Sequence, residues 1–180
     1  MSTIKGERPP PTMVERISHQ VQEQYNRAFY DVIQHSIETK NYDHIVRLYT
    51  EIRDRLARML FNKDGPTYQR LLTDFDVPFF EQRLRNEVFD NRSMMLLVSM
   101  TFAWIHDLQM PLRDVSSAAA QERVSASGHT MLELVPAYIR EVHGCLDTME
   151  QDMREFYDNR DHPVVQEMLR KAASALPHNK

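Results

Sequence analysis

Residues 92–114 read RSMMLLVSMTFAWIHDLQMPLRD, and this stretch decides the fold. From Ser93 to Ile105 it runs 13 residues without a charge. A bilayer-crossing helix needs about 18 or more apolar residues, so the segment predicts an interior helix and no membrane span. It is apolar nearly all round, which predicts burial on several sides at the centre of a domain. Asn91 or Ser93 is placed to cap its start, and Met110-Pro111 ends it. The next residues, Leu112-Arg113-Asp114, join this apolar helix to a polar one. They predict a structural corner in which Arg113 bonds helix-end carbonyls and Asp114 caps the following helix.

Downstream, Arg113 to Ser127 is rich in Ala and Ser, so the helix there is shallow, and Gly128 marks its boundary. A long stripe follows: Met131, Val135, Tyr138, Val142, Cys145, Leu146, Met149, Met153 and Phe156 recur at helical spacing. Pro136 inside it is expected to bend the helix or to mark its true start. Asp161-His162-Pro163 opens a last helix reaching about Leu176. Upstream, Asp76 and Pro78 start a helix whose buried face holds Phe79, Phe80, Leu84, Val88 and Phe89. Asp64-Gly65-Pro66 turns into a short helical piece through Leu72. Asn41 or Asp43 caps a helix over Ile45 to about Phe61. The first stripe, Met13, Ile17, Val21, Tyr25, Phe29, Ile33 and Ile37, starts at Thr12 or Ser18.

No convincing strand alternation and no internal repeat occurs. The fold class is therefore all-α, a compact bundle of about seven or eight helices with one central apolar helix. Residues 1–12 form an extended or disordered Pro-containing arm, 13–176 a single helical domain, and 177–180 a tail. The arm has no apolar core of a secretory signal, which makes the cytoplasm the expected location.

The 180 residues carry 22 Lys plus Arg against 26 Asp plus Glu, a net charge of -4. That balance argues against nucleic acid as a partner, because phosphates require a basic face. The 4 glycines form no phosphate-binding loop, and one cysteine permits neither an internal disulfide nor a cysteine-rich zinc site. None of the 8 histidines follows an acid by three residues, so no metal centre and no cofactor is expected. Cys145 lies on an apolar stripe with His143 poorly placed as a base, so it reads as a small hydrophobe rather than a nucleophile. No catalytic residues are identified. Of the 22 basic residues 17 are Arg, and Arg47, Arg53, Arg55 and Arg58 form a candidate basic interaction face. Interleaved acids give the same face a plainer reading as solvated surface. Asp147 and Asp152 are the acids within reach of Arg113. With Arg140 they complete the candidate corner, as a binding site or as structure.

Several segments resemble the T-complex protein 11 family. Ala28-Phe29-Tyr30-Asp31 is similar to its Ala-Phe-Trp-Asp, and Tyr42 to Leu60 to its leucine-rich helix. Asp74 to Leu84 resembles another of its segments, with Gln82 kept. Met110-Pro111-Leu112-Arg113-Asp114 resembles its Ala-Pro-Val-Arg-Asp, and Tyr138 to Met153 its Asp-containing helix. The resemblance runs in order from Val14 to Met153. Members elsewhere are much longer, so the chain reads as a compact version without their leader and carboxy-terminal half. The resemblance implies a helical, non-enzymatic protein, linked in some members to cyclic-AMP and protein kinase A signalling and to sperm function. It supplies no catalytic residues to carry over.

The leading expectation is a cytoplasmic helical interaction or regulatory module with a protein partner, homo-oligomerisation being open. The alternative is a sensor or enzyme holding a small ligand in a polar pocket around Arg113, Asp114, Arg140 and Asp152.

Overall fold

A computed structural model describes residues 10–175. The described residues form eight α-helices and one 3-10 turn, without a strand. In chain order these are α1 (Met13–Glu38), α2 (Asp43–Arg58), α3 (Pro66–Asp74), α4 (Val77–Arg85) and α5 (Asn91–Leu108). The turn Pro111–Arg113 leads into α6 (Asp114–Ser125), and α7 (Met131–Asp158) and α8 (Pro163–Ala175) complete the chain. The arm expected over residues 1–12 and the tail over 177–180 lie largely or wholly outside the described residues.

Local chemistry sets most helix starts. Thr12 and Glu15 close a reciprocal capping box on α1. The Asp76 carboxylate accepts from the Phe79 N–H at 3.0 Å, with Pro78 in the first turn of α4. At α5 the cap is Asp90, which accepts from the Ser93 N–H at 2.8 Å, in place of Asn91 or Ser93. For α2 the capping residue is Tyr42 with no side-chain bond, so neither Asn41 nor Asp43 performs that role. Before α7, the Glu133 carboxylate accepts from the N–H groups of His129 and Thr130. Gly128, at φ +155°, makes room for it: a Cβ there would lie 2.0 Å from Glu133 Oε2.

Pro136 sits inside α7, which begins at Met131. A proline at that place removes the donor that would serve the Leu132 carbonyl. Gln34 Nε2 reaches that oxygen at 3.5 Å, and the Tyr30 hydroxyl donates to the next carbonyl, Glu133, at 3.3 Å. Side chains of α1 thus cover the stretch where α7 lacks an N–H.

The core forms around α5 and α7, which pack on each other and on α6 and α2, with α1 along α7. Ile33, Ile52, Leu56, Phe75, Ile105 and Leu146 have no exposed surface. Along α7 the run Leu134 to Ile139 is buried at every residue. The apolar helix α5 buries Met94, Val98, Thr101, Phe102, Trp104 and Ile105, but on one broad face only. Leu96, Ser99 and Ala103 point outward, so the expected burial on several sides is not met. A small domain has more apolar side chains than its interior can cover.

Two elements are only partly attached. The second half of α1 docks through Phe29, Ile33 and Ile37, whereas Met13, Val14, Ile17, Val21 and Tyr25 are exposed. Val164 and Met168 of α8 are likewise exposed.

Candidate functional site

At the corner, the Arg113 N–H donates to the Met110 carbonyl at 2.8 Å, closing the 3-10 turn. Its guanidinium turns to α7 and forks onto Asp152, Nε to Oδ2 at 2.9 Å and Nη2 to Oδ1 at 2.7 Å. Asp152 is only 8% exposed. Arg113 holds its carboxyl below the usual carboxylate range, against the opposing effect of burial. The side chain of Arg113 does not take the helix-end carbonyls that the sequence suggests. Nor does Asp114 cap α6. The turn runs straight into α6 with Arg113 in helical conformation, leaving no extended residue in which a cap could form. Asp114 Oδ1 instead accepts from Gln109 Nε2 at 2.9 Å and faces His106 Nδ1 at 3.3 Å.

The other corner candidates are drawn elsewhere. Arg140 pairs with its neighbour Glu141 at 3.4 Å. It stands on α7 about 18 Å along the axis from Asp152, at 1.5 Å per residue. Arg113, Asp152 and Asp114 line three different hollows. The polar pocket of Arg113, Asp114, Arg140 and Asp152 is therefore not assembled.

Asp147 belongs to a second cluster. Arg55 of α2, only 6% exposed, donates from Nη2 to Asp147 at 2.5 Å and from Nε to Glu150 at 2.8 Å. Its Nη1 lies 3.1 Å from His143 Nδ1. A guanidinium only donates, so Nδ1 accepts and the imidazole proton sits on Nε2, which is buried without a partner among the described residues. Burial pushes the His143 pKa down, and the neighbouring Arg55 adds to this against the surrounding acids. The basic face is thereby divided. Arg47 and Arg58 are exposed, Arg53 pairs with Asp54 at 3.0 Å, and Arg55 is interior. The sequence carries a signal for this: Arg55 lies three residues after Ile52 and four before Met59, within the apolar stripe.

Cys145 is half-buried, and burial pushes its thiol up to about 11, so it stays protonated and unreactive at neutral pH. Among the described residues no three His, Cys, Asp or Glu side chains group as a metal site.

What the surface does offer is apolar. A hollow of about 290 Å³ at one end of the bundle is lined by Met59, Phe61, Met110, Met149, Met153 and Phe156. The exposed half of α1 presents an apolar stripe from Met13 to Tyr25, about three and a half turns long. Polarisable methionines and an amphipathic helix are the features that helix-in-groove recognition uses.

A family model described as T-complex protein 11 matches residues 9–157, a span that encloses α1 to nearly the end of α7. No curated protein and no solved structure matches the chain.

Proposed function

The chain belongs to the T-complex protein 11 family, and on that premise we propose that it is a non-enzymatic helical interaction module working in the cytoplasm. The observation that carries this reading is α1. Its apolar stripe is continuous in sequence, yet only the second half is covered by the body. A soluble chain rarely leaves a long apolar stripe open without a use for it. Exposed Ile17, Val21 and Tyr25 lie on one helical face, as anchors that insert into a partner's groove do. No described helix is long and apolar enough to cross a membrane. The regulatory setting that the family suggests, cyclic-AMP and protein kinase A signalling, is part of this proposal. The polar-ligand alternative lacks support, because Arg113 and Asp152 bond each other while Asp114 and Arg140 have other partners.

Photo-crosslinking tests the reading. With a benzophenone amino acid replacing Val21, native cell extract should yield a discrete cross-linked protein, and Ile17→Glu should remove it. A band that survives Ile17→Glu, or no band, sinks the module. Titration against the regulatory subunit of protein kinase A, with and without cyclic AMP, tests the pathway separately; silence there removes the pathway alone.

A further inference from the structure

Inside the bundle, α1, α2, α4, α5 and α7 enclose a cavity of about 170 Å³. Ile45, Leu84, Leu97 and Val135 supply its walls, and the partly exposed Tyr42 and Met131 with the exposed Glu87 mark its mouth. Two of the polar groups on it are already engaged, and the hydroxyls of Tyr42 and Tyr49 are the others. The Tyr138 hydroxyl shares a hydrogen bond with Thr101 at 2.9 Å, and Glu87 is ion-paired with Lys40. Lys40 and Glu87 have φ of 56° and 57°, so their pair ties together the chain reversals that follow α1 and α4. Walls that are mostly hydrocarbon give water few partners. A cavity of about 150 Å³ lined by Leu, Ile and Phe is known to admit benzene. Left empty, such a space forfeits dispersion contacts around its whole lining. One wall is aromatic: Tyr49 and Phe80 stack at 3.9 Å, and Phe89 meets Phe80 edge-on at 5.2 Å.

We propose that this cavity is a binding site for a small, neutral aromatic molecule, of benzene to indole size. Neutrality follows from the walls, whose only carboxylate among the described residues, Glu87, is ion-paired with Lys40. Aromatic character follows from the ring edges and faces along one side. The site is independent of the partner surface on the free half of α1.

The full chain with ¹³C-methyl methionine tests it by benzene and indole titration. Saturable ring-current shifts are expected at Met94 and Met131, with none at the exposed Met13 and Met168. At a free ligand concentration ten times Kd the melting temperature should rise by about 3–6 °C. Val135→Phe fills the cavity from its wall and Met131→Trp from its rim, and each should weaken binding at least tenfold. Either one suffices should the other not fold. Val115→Phe, on an exposed site, should leave binding unchanged. No saturable shift, uniform shifts at all methyls, binding that survives the filled variants, or tighter binding of tetramethylammonium would overturn the proposal.

Discussion

Removing the Arg113 guanidinium leaves Asp152 buried with a charge and no partner, the expensive half of a broken ion pair. Arg113→Ala should therefore unfold at lower denaturant than wild type. Arg113→Lys should recover only part, because an ammonium cannot reproduce the two-pronged contact. The sign of the pH dependence follows from the depressed carboxyl. Its stabilisation is present above the unfolded pKa of about 3.9 and is lost as pH falls through the folded value. The two unfolding midpoints should thus converge below about pH 4, and a gap independent of pH would remove the pair as its source. His143 acts in a different window. Its folded pKa is lowered, so below about 6.5 the unfolded chain takes up a proton that the folded chain resists. Wild type should lose stability as pH falls below about 6.5, and His143→Gln should lose less, since a Gln oxygen still accepts from Arg55. His44, whose pKa is also lowered, by burial and then by Arg47, adds a slope of the same sign. Equal slopes in wild type and variant would show that His143 is free to protonate in the fold.

Among the elements, α1 is the one whose two halves live in different environments. Ile33 is fully buried, whereas Val21 is 60% exposed. Ile33→Ala should destabilise by about 2–5 kcal/mol through lost packing and a residual cavity. Val21→Glu should change stability by no more than about 0.5 kcal/mol, as surface substitutions generally do. Chemical denaturation of the two variants side by side checks the contrast. A large loss from Val21→Glu would mean that the free half of α1 is packed in solution, against its own body or a second copy. The capping residues belong to this scale as well. Asp76 is legible from spacing alone, and Thr12 as one of two candidates beside Ser18, because a cap bonds within three residues of itself. The Arg113–Asp114 corner is not legible that way, because a 3-10 turn there replaces the extended residue a cap needs.

For the molecule as a whole, Trp104 reports whether α5 is seated. It is 3% exposed, its Nε1 donates to Asp74 at 2.9 Å, and the Arg70 guanidinium lies 4.5 Å over its ring. Native emission should be blue-shifted and resistant to iodide, and Trp104→Ala should cost about 3–5 kcal/mol. Readily quenched, red-shifted emission would contradict the packing of α5 on its neighbours. The helical class, the order of the elements and most of their ends were determined by the sequence itself. Periodicity and capping act within about four residues, and nothing distant is needed to read them. Partner choice was decided only in three dimensions. Arg113 and Asp152 are 39 residues apart, and Arg55 and Asp147 92 apart. Which acid each arginine meets depends on how α2 and the corner cross α7, and local pattern does not encode that crossing. The stripe on α1 reads the same from Met13 to Ile37, yet α7 covers only the later part of it. The aromatic-walled cavity likewise exists because five helices fail to close completely, a property of their joint packing that no single helix carries.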